Sequence, residues 1–496
     1  MKSIQKNIKI IILLFVAMFV VLIVYLGYIV STYGGRWFAS PYNPRLQAQK
    51  STVQLGDILD RNRKKLAGTD SDGSRTYSSS RTTRRSTAHV VGDSLNIAAP
   101  GAETFFAQYL LGFNEDMVDR IAGLLNDEQR KGSSVILTID AELCAAIYDT
   151  MKSNGATVVI NYKTGEILAM VSKPAYDPTD MKKYQQEEAG TASLVNRATM
   201  GQYTPGSVFK LITAVSALEN IPDILERQFS CEGPLCFQTS SGKYLADMHI
   251  TTEEDKKRTE DNAHDPDISL LRDYNAEYHD VVDFKTAFAK SCNTTFAKIG
   301  VELGADKIEA TARKLGFGDN FLFSDIMMYS SNYEKSYRQL DVAWSAVGQY
   351  KDIATPLHMA LLTAGIANDG VIMQPTLLKN VISARGYILS GSIPHVYKQA
   401  ISVETAATMQ ELMLETVELG TGRSAALSKY KVGGKTGTAE TSNSKVVKPH
   451  AWFVGFVQSE EHPLAIVVIQ ENAGTGGSVA APIAKNVLEK AIKLGY

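Results

Sequence analysis

Cysteine is scarce in this chain: Cys144, Cys231, Cys236 and Cys292 are the only four in 496 residues. Their spacing contains no metal-binding pattern, so the cysteines by themselves suggest neither a zinc module nor any other metal site. Cys231 and Cys236 are close enough in sequence to close a small disulfide loop outside the cytoplasm, with two free buried thiols as the alternative. Excess charge of one sign is also missing. A formal net charge of −2, with no basic stripe, gives no reason to expect nucleic acid as a partner. No internal repeat is visible, and at 44% hydrophobic and 21% charged residues the composition is that of a globular chain rather than a disordered or fibrous one.

What the chain does have is one long uncharged run. From Ile10 to Val30 about 21 residues pass without a charge, enough for one helix to cross a bilayer and longer than the apolar region of a cleavable signal peptide. Lys2, Lys6 and Lys9 precede it, while Arg36, Arg45 and Lys50 follow, a modest asymmetry that puts the N-terminus in the cytoplasm and residues 31–496 outside. The expected organisation is a tail over 1–9, a transmembrane anchor over 10–30, a non-catalytic pedestal over 31–134 and a main domain over 135–496. Within the pedestal, residues 68–88 are rich in Ser, Thr and Arg and lack apolar periodicity, which predicts a loop.

Regular patterning strengthens at Val135. VILTID reads as a strand, and Leu143, Ile147 and Met151 mark a helix face. ATVVIN (156–161) and EILAMVS (166–172) predict a hairpin joined by a tight turn. KVGGKTGTAE (431–440), HAWFVGFVQ (450–458) and LAIVVIQEN (464–472) predict three more strands, followed by a helix over about 479–494. The two ends of the domain should therefore share one antiparallel sheet, covered by the helical sequence between them. Roughly 239–280 interrupts that sequence, and the charge density of TTEEDKKRTEDNAHDPD predicts a solvated insertion rather than a binding surface.

Within TPGSVFKLITA (204–214), Pro205 suits a helix start and Gly206 permits close approach of other backbone. Ser207 and Lys210, three apart, would share a face, as a nucleophile and its base must. A serine hydroxyl needs a base to take its proton, and a lysine serves only where burial or other cations keep it partly neutral. The apolar residues around Lys210 supply that burial. The pair alone is unspecific, because Ser-x-x-Lys also occurs at Ser3/Lys6, Ser240/Lys243, Ser428/Lys431 and Ser442/Lys445.

Two further pieces give it context: Ser291-Cys292-Asn293, and Lys435-Thr436-Gly437-Thr438. In the order Ser-x-x-Lys, Ser-x-Asn, Lys-Thr-Gly, the sequence resembles the transpeptidase domain of the penicillin-binding proteins. Segments GDILDRN (56–62), HVVGD (89–93), TGEILAMVSKPAYDP (164–178), GQYKDIATPLHMA (348–360) and GTGRSA (420–425) extend the likeness nearly end to end. A second Ser-x-Asn, Ser330/Asn332, lacks the flanking pattern. A serine-histidine-acid hydrolase is disfavoured, since none of His89, His249, His264, His279, His358, His450 or His462 has a matching context.

The resemblance implies an α+β fold: an N-terminal transmembrane helix, a small, mostly β or irregular pedestal, and a domain with a five-stranded antiparallel sheet covered by helices. It implies that Ser207 is acylated by the D-Ala-D-Ala end of a peptidoglycan stem peptide, with Lys210 as proton acceptor and Ser291 as proton relay. Asn293 would bind the substrate amide and Lys210, and Lys435 would set the local field and orient Ser291. Lys-Thr-Gly would form the edge strand of the cleft, with Gly437 leaving room for substrate. Thr436 and Thr438 would bind the terminal carboxylate, and the N–H groups of Ser207 and Thr438 would form the oxyanion hole.

Before residue 135 there is too little chain for the glycosyltransferase of class A enzymes, so the likeness is to class B. That implies β-lactam inhibitors, no cofactor and no metal, attachment to the cell membrane, and a membrane glycosyltransferase of the shape, elongation, division and sporulation family as partner. A D,D-carboxypeptidase would use the same acyl-enzyme. A class D-like β-lactamase or antibiotic sensor is argued against by Asn293 and the long pedestal. A catalytically idle cell-wall scaffold is the reading from another class, and Ser207→Ala separates it from an enzyme.

Overall fold

A computed structural model describes residues 2–38, 53–113, 131–186, 192–250, 252–440 and 446–496. Arg45 and Lys50, two of the flanking charges, and the Ser442/Lys445 pair lie outside them. The first helix runs Lys2–Phe38, and Lys6–Val30 within it is long and apolar enough to cross a membrane. Its apolar side chains from Ile10 to Val30, the half-buried Ile29 apart, are exposed, a surface that lipid rather than the protein core would cover.

The centre of the chain is a five-stranded sheet: β1 (Gly155–Asn161), β2 (Ile167–Lys173), β3 (Lys431–Ala439), β4 (His450–Gln458) and β5 (Leu464–Gln470). Its order is β3-β4-β5-β1-β2, and every neighbouring pair is antiparallel. The expected meeting of the two ends of the domain is thus the β5–β1 pair, in which Leu464 faces Asn161 and Gln470 faces Gly155. Both faces of these strands are buried, which is why they read as continuous apolar runs rather than as alternation. The β1–β2 turn is closed by Asn161, whose Oδ1 accepts the N–H groups of Lys163 and Thr164, and by Gly165 at φ 77°.

Helix Pro356–Ala367 is buried along its whole length against this sheet, as expected for a helix apolar on every side. Ala481–Lys493 packs against β4 and β5, and Val403–Glu418 lies against β3. A second, six-stranded sheet joins Ile58–Leu59, Lys65–Thr69 and Arg75–Tyr77 to Ser134–Leu137, and through it to Leu378–Ile382 and Ile388–Gly391. Its one parallel pair is Ile58–Leu59 with Ser134–Leu137.

Two expectations need correction. Residues 68–88 are not a loop: Arg75–Tyr77 is a strand and Arg81–Val91 a helix capped by Ser80, whose side chain accepts the N–H of Thr83. The face this helix buries includes Thr83, Ser86 and Thr87, and the Ser86 and Thr87 hydroxyls donate to the Thr83 carbonyl. Hydroxyls satisfied within their own helix can be buried at little cost, so the periodicity exists but is not apolar. The insertion is also more than a solvated excursion. Its charged helix, Glu253–Ala263, is exposed as expected, with a Thr252/Asp255 capping box. The chain that follows pairs as Ile268–Leu271 with Leu235–Gln238 and then enters the cleft described next.

Candidate active site

Ser207 lies in a tight turn of helix, Gly206–Phe209, that leads into helix Lys210–Asn220. Gly206 has φ 57°, and a Cβ there would stand 2.8 Å from the Thr438 carbonyl oxygen. Glycine therefore satisfies two demands at once, a left-handed backbone and contact with edge strand β3. The Gly206 N–H donates to the Gly348 carbonyl at 2.9 Å and the Trp452 indole N–H to the Thr204 carbonyl at 3.1 Å, which fixes the turn from both sides.

The Lys210 side chain is fully buried, and its Nζ lies 2.5 Å from the Ser291 carbonyl oxygen, 3.3 Å from Ser291 Oγ and 2.7 Å from Asn293 Oδ1. Ser207 is not among its hydrogen-bond partners. Burial lowers the Lys210 ammonium to about 8, opposed by the negative charges of Asp273 and the nearby cysteines. Lys435, also fully buried, is held well below its ordinary value by burial and by the charge of Lys210.

Ser291, Cys292 and Asn293 connect two helices. Helix Phe284–Ala289 is closed by the N–H groups of Ser291 and Cys292, which donate to the carbonyls of Phe288 and Ala287, and Ser291 takes φ 62°. A serine in the left-handed region is uncommon, and here it turns the carbonyl and hydroxyl of one residue toward a single amine. Cys292 then caps helix Asn293–Lys314, its Sγ accepting the Thr295 N–H.

An open cleft of about 790 Å³ brings Ser207, Ser291, Asn293, Thr436 and Thr438 onto one surface. Thr436 Oγ1 is 2.6 Å from Thr421 Oγ1, and the Thr438 carbonyl accepts from Gln349 Nε2 at 2.9 Å. β3 is the edge strand, as expected, but Gly437 has another purpose than the one expected. A Cβ on it would lie 3.0 Å from Val208 Cγ1 and 3.1 Å from the Pro205 carbonyl oxygen, so it makes room for the nucleophile turn rather than for substrate. The alternation of the strand gives the open face to Thr436 and Thr438. Lys435 Nζ donates to the Thr436 carbonyl at 3.3 Å and sits 5.6 Å above the Phe288 ring, and no hydrogen bond joins it to Ser291. Ser330 and Asn332 lie outside the cleft, with Ser330 Oγ donating to the Asp319 carbonyl.

Several cleft residues carry no motif. Arg272, Asp273 and His279 come from the insertion, and Trp344, Gln349 and Thr421 from helix ends and loops. Gln349 and Thr421 fall within the segments 348–360 and 420–425, and Arg272, Asp273 and His279 within the insertion, which the sequence had read as solvated rather than as part of a binding surface. Asp273 accepts the backbone N–H of Asn293, and the Arg272 carbonyl accepts Asn293 Nδ2 at 3.0 Å.

All four cysteines are free, and Cys231 faces Cys292 rather than Cys236, which lies in a strand of a different sheet. Cys231, Asp273, His279 and Cys292 stand together, although Cys231 is 42, 48 and 61 residues from the other three, intervals that no local pattern reports. Burial raises the Asp273 carboxyl to about 6, assisted by Cys292. Burial also works to raise the Cys292 thiol, but hydrogen bonds from Cys231, His279 and two threonines outweigh it and hold the thiol well below its ordinary value.

Known proteins resemble this chain in sequence and in fold. The family model for the penicillin binding protein transpeptidase domain matches residues 155–223 and 245–489. The chain is 28% identical over 487 residues to the peptidoglycan D,D-transpeptidase PbpA of Mycolicibacterium smegmatis, covering 92% of this chain and 93% of that one. It is 28% identical over 412 residues to the peptidoglycan D,D-transpeptidase MrdA of Acinetobacter baumannii, covering 76% and 57%. Among solved structures, a ceftriaxone acyl-enzyme complex of penicillin-binding protein A from M. tuberculosis superposes with a TM-score of 0.77 at 27% identity, over 90% of this chain and 100% of that one.

Proposed function

This chain belongs to the penicillin-binding protein transpeptidase family and is a serine-type peptidoglycan D,D-transpeptidase, a premise from which we propose the role of each residue in the cleft. Ser207 Oγ attacks the carbonyl of the D-Ala-D-Ala bond of a donor stem peptide, and its proton passes to Lys210 Nζ. The N–H groups of Ser207 and Thr438 hold the oxyanion. As the C–N bond breaks, Ser291 delivers its proton to the departing D-alanine nitrogen and takes one from Lys210, which returns that amine to its neutral form. An amine of a second stem peptide then attacks the acyl-enzyme, and the proton it loses passes through Lys210 to Ser207 Oγ as the ester bond breaks and the cross-link forms.

The observation that carries this reading is the set of three acceptors around the buried Lys210 amine. They match the three donors of an ammonium, so the proton has a prepared place, while burial keeps the neutral form accessible near neutral pH. Asn293 positions that amine. Lys435 lies behind the cleft surface, its amine donating to the Thr436 carbonyl without touching Ser291, and the Thr436 and Thr438 hydroxyls receive the terminal carboxylate.

The N-terminal helix acts as a single-pass membrane anchor. With its N-terminus cytoplasmic and the cleft outside, residues 31–134 separate the anchor from a transpeptidase domain over 135–496. A polymerising membrane glycosyltransferase of the shape, elongation, division and sporulation family is the partner that would supply uncross-linked strands. β-Lactams, which mimic the D-Ala-D-Ala end, acylate the same serine.

The test is labelling of the full chain with a fluorescent penicillin, read by intact mass beside Ser207→Ala. A stable adduct on wild type alone supports the assignment; an adduct that persists in Ser207→Ala overturns it. A peptide donor offered with an amine acceptor then divides the fate of the acyl group. Cross-linked product marks the transpeptidase, and release of the acid alone marks a carboxypeptidase.

A further inference from the structure

Asp352 is buried and has no part in the reaction proposed above, yet its contacts lead to both sides of the nucleophile. We propose that it is a positioning residue: by closing the arch over 345–352, it sets the separation of the Ser207 and Thr438 N–H groups. The inference rests on the oxyanion hole assigned to those two groups.

The arch begins at Ser345, near the end of helix Gln339–Ala346, and returns at Asp352. One hydrogen bond joins its two feet, from Ser345 Oγ to Asp352 Oδ2. At the tip, the Gly348 carbonyl accepts the Gly206 N–H at 2.9 Å, one residue before Ser207, and Gln349 Nε2 donates to the Thr438 carbonyl at 2.9 Å. Two adjacent residues thus hold the nucleophile turn and the edge strand β3 at a fixed distance. The tip follows the first foot, because the N–H groups of Gly348 and Gln349 donate to the carbonyls of Ser345 and Trp344 at 2.8 Å and 2.9 Å. Just past the second foot, Ala354 and Tyr203 exchange backbone hydrogen bonds of 2.8 Å and 3.0 Å, so the arch is anchored on the segment that leads into Ser207.

The other oxygen of Asp352, Oδ1, accepts the Glu334 N–H at 3.1 Å. The neighbouring Tyr333 has its hydroxyl beside Ser345 and Asp352, and its ring stacks on Phe209, the last residue of the nucleophile turn, with centroids 6.0 Å apart. Among the described residues no cation pairs with Asp352, and the one charge that acts on it is that of Glu334. Burial raises its carboxyl to about 7, opposed by the hydrogen bonds from Ser345 and Glu334. The Ser345 hydroxyl bonds either form of the carboxyl, as donor to the charged one and as donor or acceptor to the neutral one, so the arch stays closed on both sides of neutral pH. An apolar side chain would fill the same space without the cost of a buried carboxyl, but it could not join the feet.

The experiment is acylation of the full-length chain by a chromogenic cephalosporin, followed over a range of concentrations. Asp352→Ala and Ser345→Ala should each lower the limiting rate by about 10-fold and leave the half-saturating concentration unchanged, because a displaced oxyanion hole weakens the transition state and not ground-state binding. The double variant should be no slower than the slower single one, since both changes break the same bond. Asp352→Asn, whose amide keeps a hydrogen bond to the Ser345 hydroxyl, should stay close to the wild-type rate. Unchanged rates in both single variants, a loss confined to the half-saturating concentration, multiplied losses in the double variant, or Asp352→Asn as slow as Asp352→Ala overturns the proposal. Asp352→Ala also strips the Glu334 N–H of its acceptor, so Ser345→Ala keeps the test decisive if the former does not fold. Denaturant unfolding reads the same bond without turnover: Ser345→Ala should cost less stability beside Asp352→Asn than in wild type only if the bond survives poorly in the amide, and less beside Asp352→Ala in every case. An equal cost in wild type and beside Asp352→Ala overturns the pairing. Whether an adduct requires Ser207 is a separate measurement, so the nucleophile and the role of Asp352 can fail independently.

Discussion

Lys210 Nζ stands 2.7 Å from Asn293 Oδ1, and the same amide gives its Nδ2 to the Arg272 carbonyl at 3.0 Å. One side chain thus joins the proposed base to the returning end of the insertion. Asn293→Ala removes one of the amine's three acceptors and leaves the Arg272 carbonyl without its donor. The expected result is a loss of about 100-fold in the acylation rate, the size of effect that misplacing a reacting group produces. The stability cost should be about 1–3 kcal/mol. Stopped-flow acylation beside urea unfolding checks both, and an unchanged rate would remove Asn293 from the machinery.

Acylation should depend on pH through Lys210. Burial places its folded-state value at about 8, below the ordinary 10.5. The neutral amine is the form that takes the serine proton, so the rate should rise with pH, bend near 8 and level off above it. The stability term runs in the same direction. A lysine whose folded value is depressed is protonated more fully in the unfolded chain between about 8 and 10.5, so its burial penalty is whole below 8 and fades as pH rises to 10.5. A pH profile of penicillin acylation decides it: a bend that persists in Lys210→Arg belongs to another group.

Gly348 should control the nucleophile from a distance. It has φ 78°, its carbonyl accepts the Gly206 N–H, and a Cβ on it would fall 2.0 Å from the Gly206 carbonyl oxygen. Gly348→Ala cannot be accommodated by a side-chain rotation, because the obstacle is backbone. The Gly206–Phe209 turn must move, and with it Ser207. Acylation is expected to fall by 10-fold or more, on the order of what a shift approaching 1 Å costs a reacting group. Penicillin labelling kinetics, normalised to folded protein by circular dichroism, test this.

The central sheet was legible because its strands are buried on both faces, so Val158 to Ile160 and Ile466 to Ile469 announce themselves as apolar runs. Ser207, Lys210, Ser291, Asn293, Thr436 and Thr438 were legible because each belongs to a short motif whose order along the chain is fixed. Helix Arg81–Val91 was not, since its buried hydroxyls satisfy themselves within the helix and carry no apolar period. Nor was the purpose of Gly437, which answers to Val208 and Pro205, neighbours more than 200 residues away in the chain. Asp273 and His279 escaped for a similar reason. They follow a run of charge that belongs in solvent, and only the pairing of Ile268–Leu271 with Leu235–Gln238 carries the chain back to Cys231 and Cys292.

Arg84 and Asp177 provide the last test, at the docking of helix Arg81–Val91. The guanidinium makes two hydrogen bonds to the carboxylate, both 2.9 Å, and a third of 2.9 Å to the Ser78 carbonyl; nearby, the Tyr176 hydroxyl donates to the Ala88 carbonyl at 2.8 Å. Burial raises the Asp177 carboxyl, but the hydrogen bonds from Arg84 and Thr179 outweigh it and bring it down to about 2. The folded value therefore lies below the ordinary 3.8, so this pair's contribution is present above 3.8 and is lost as pH falls through about 2. Arg84→Ala should destabilise the chain by about 1–2 kcal/mol at neutral pH, more than an exposed pair would, because the geometry is bidentate and only partly exposed. The same substitution should have almost no effect on stability near pH 2, where the carboxyl is half protonated in the folded chain, and little effect on acylation at pH 7, since neither residue reaches the cleft. Denaturant titrations at the two pH values measure the difference. An equal cost at both would mean that Arg84 acts through its bond to Ser78 and its packing, and that the charge of Asp177 contributes nothing to holding the helix.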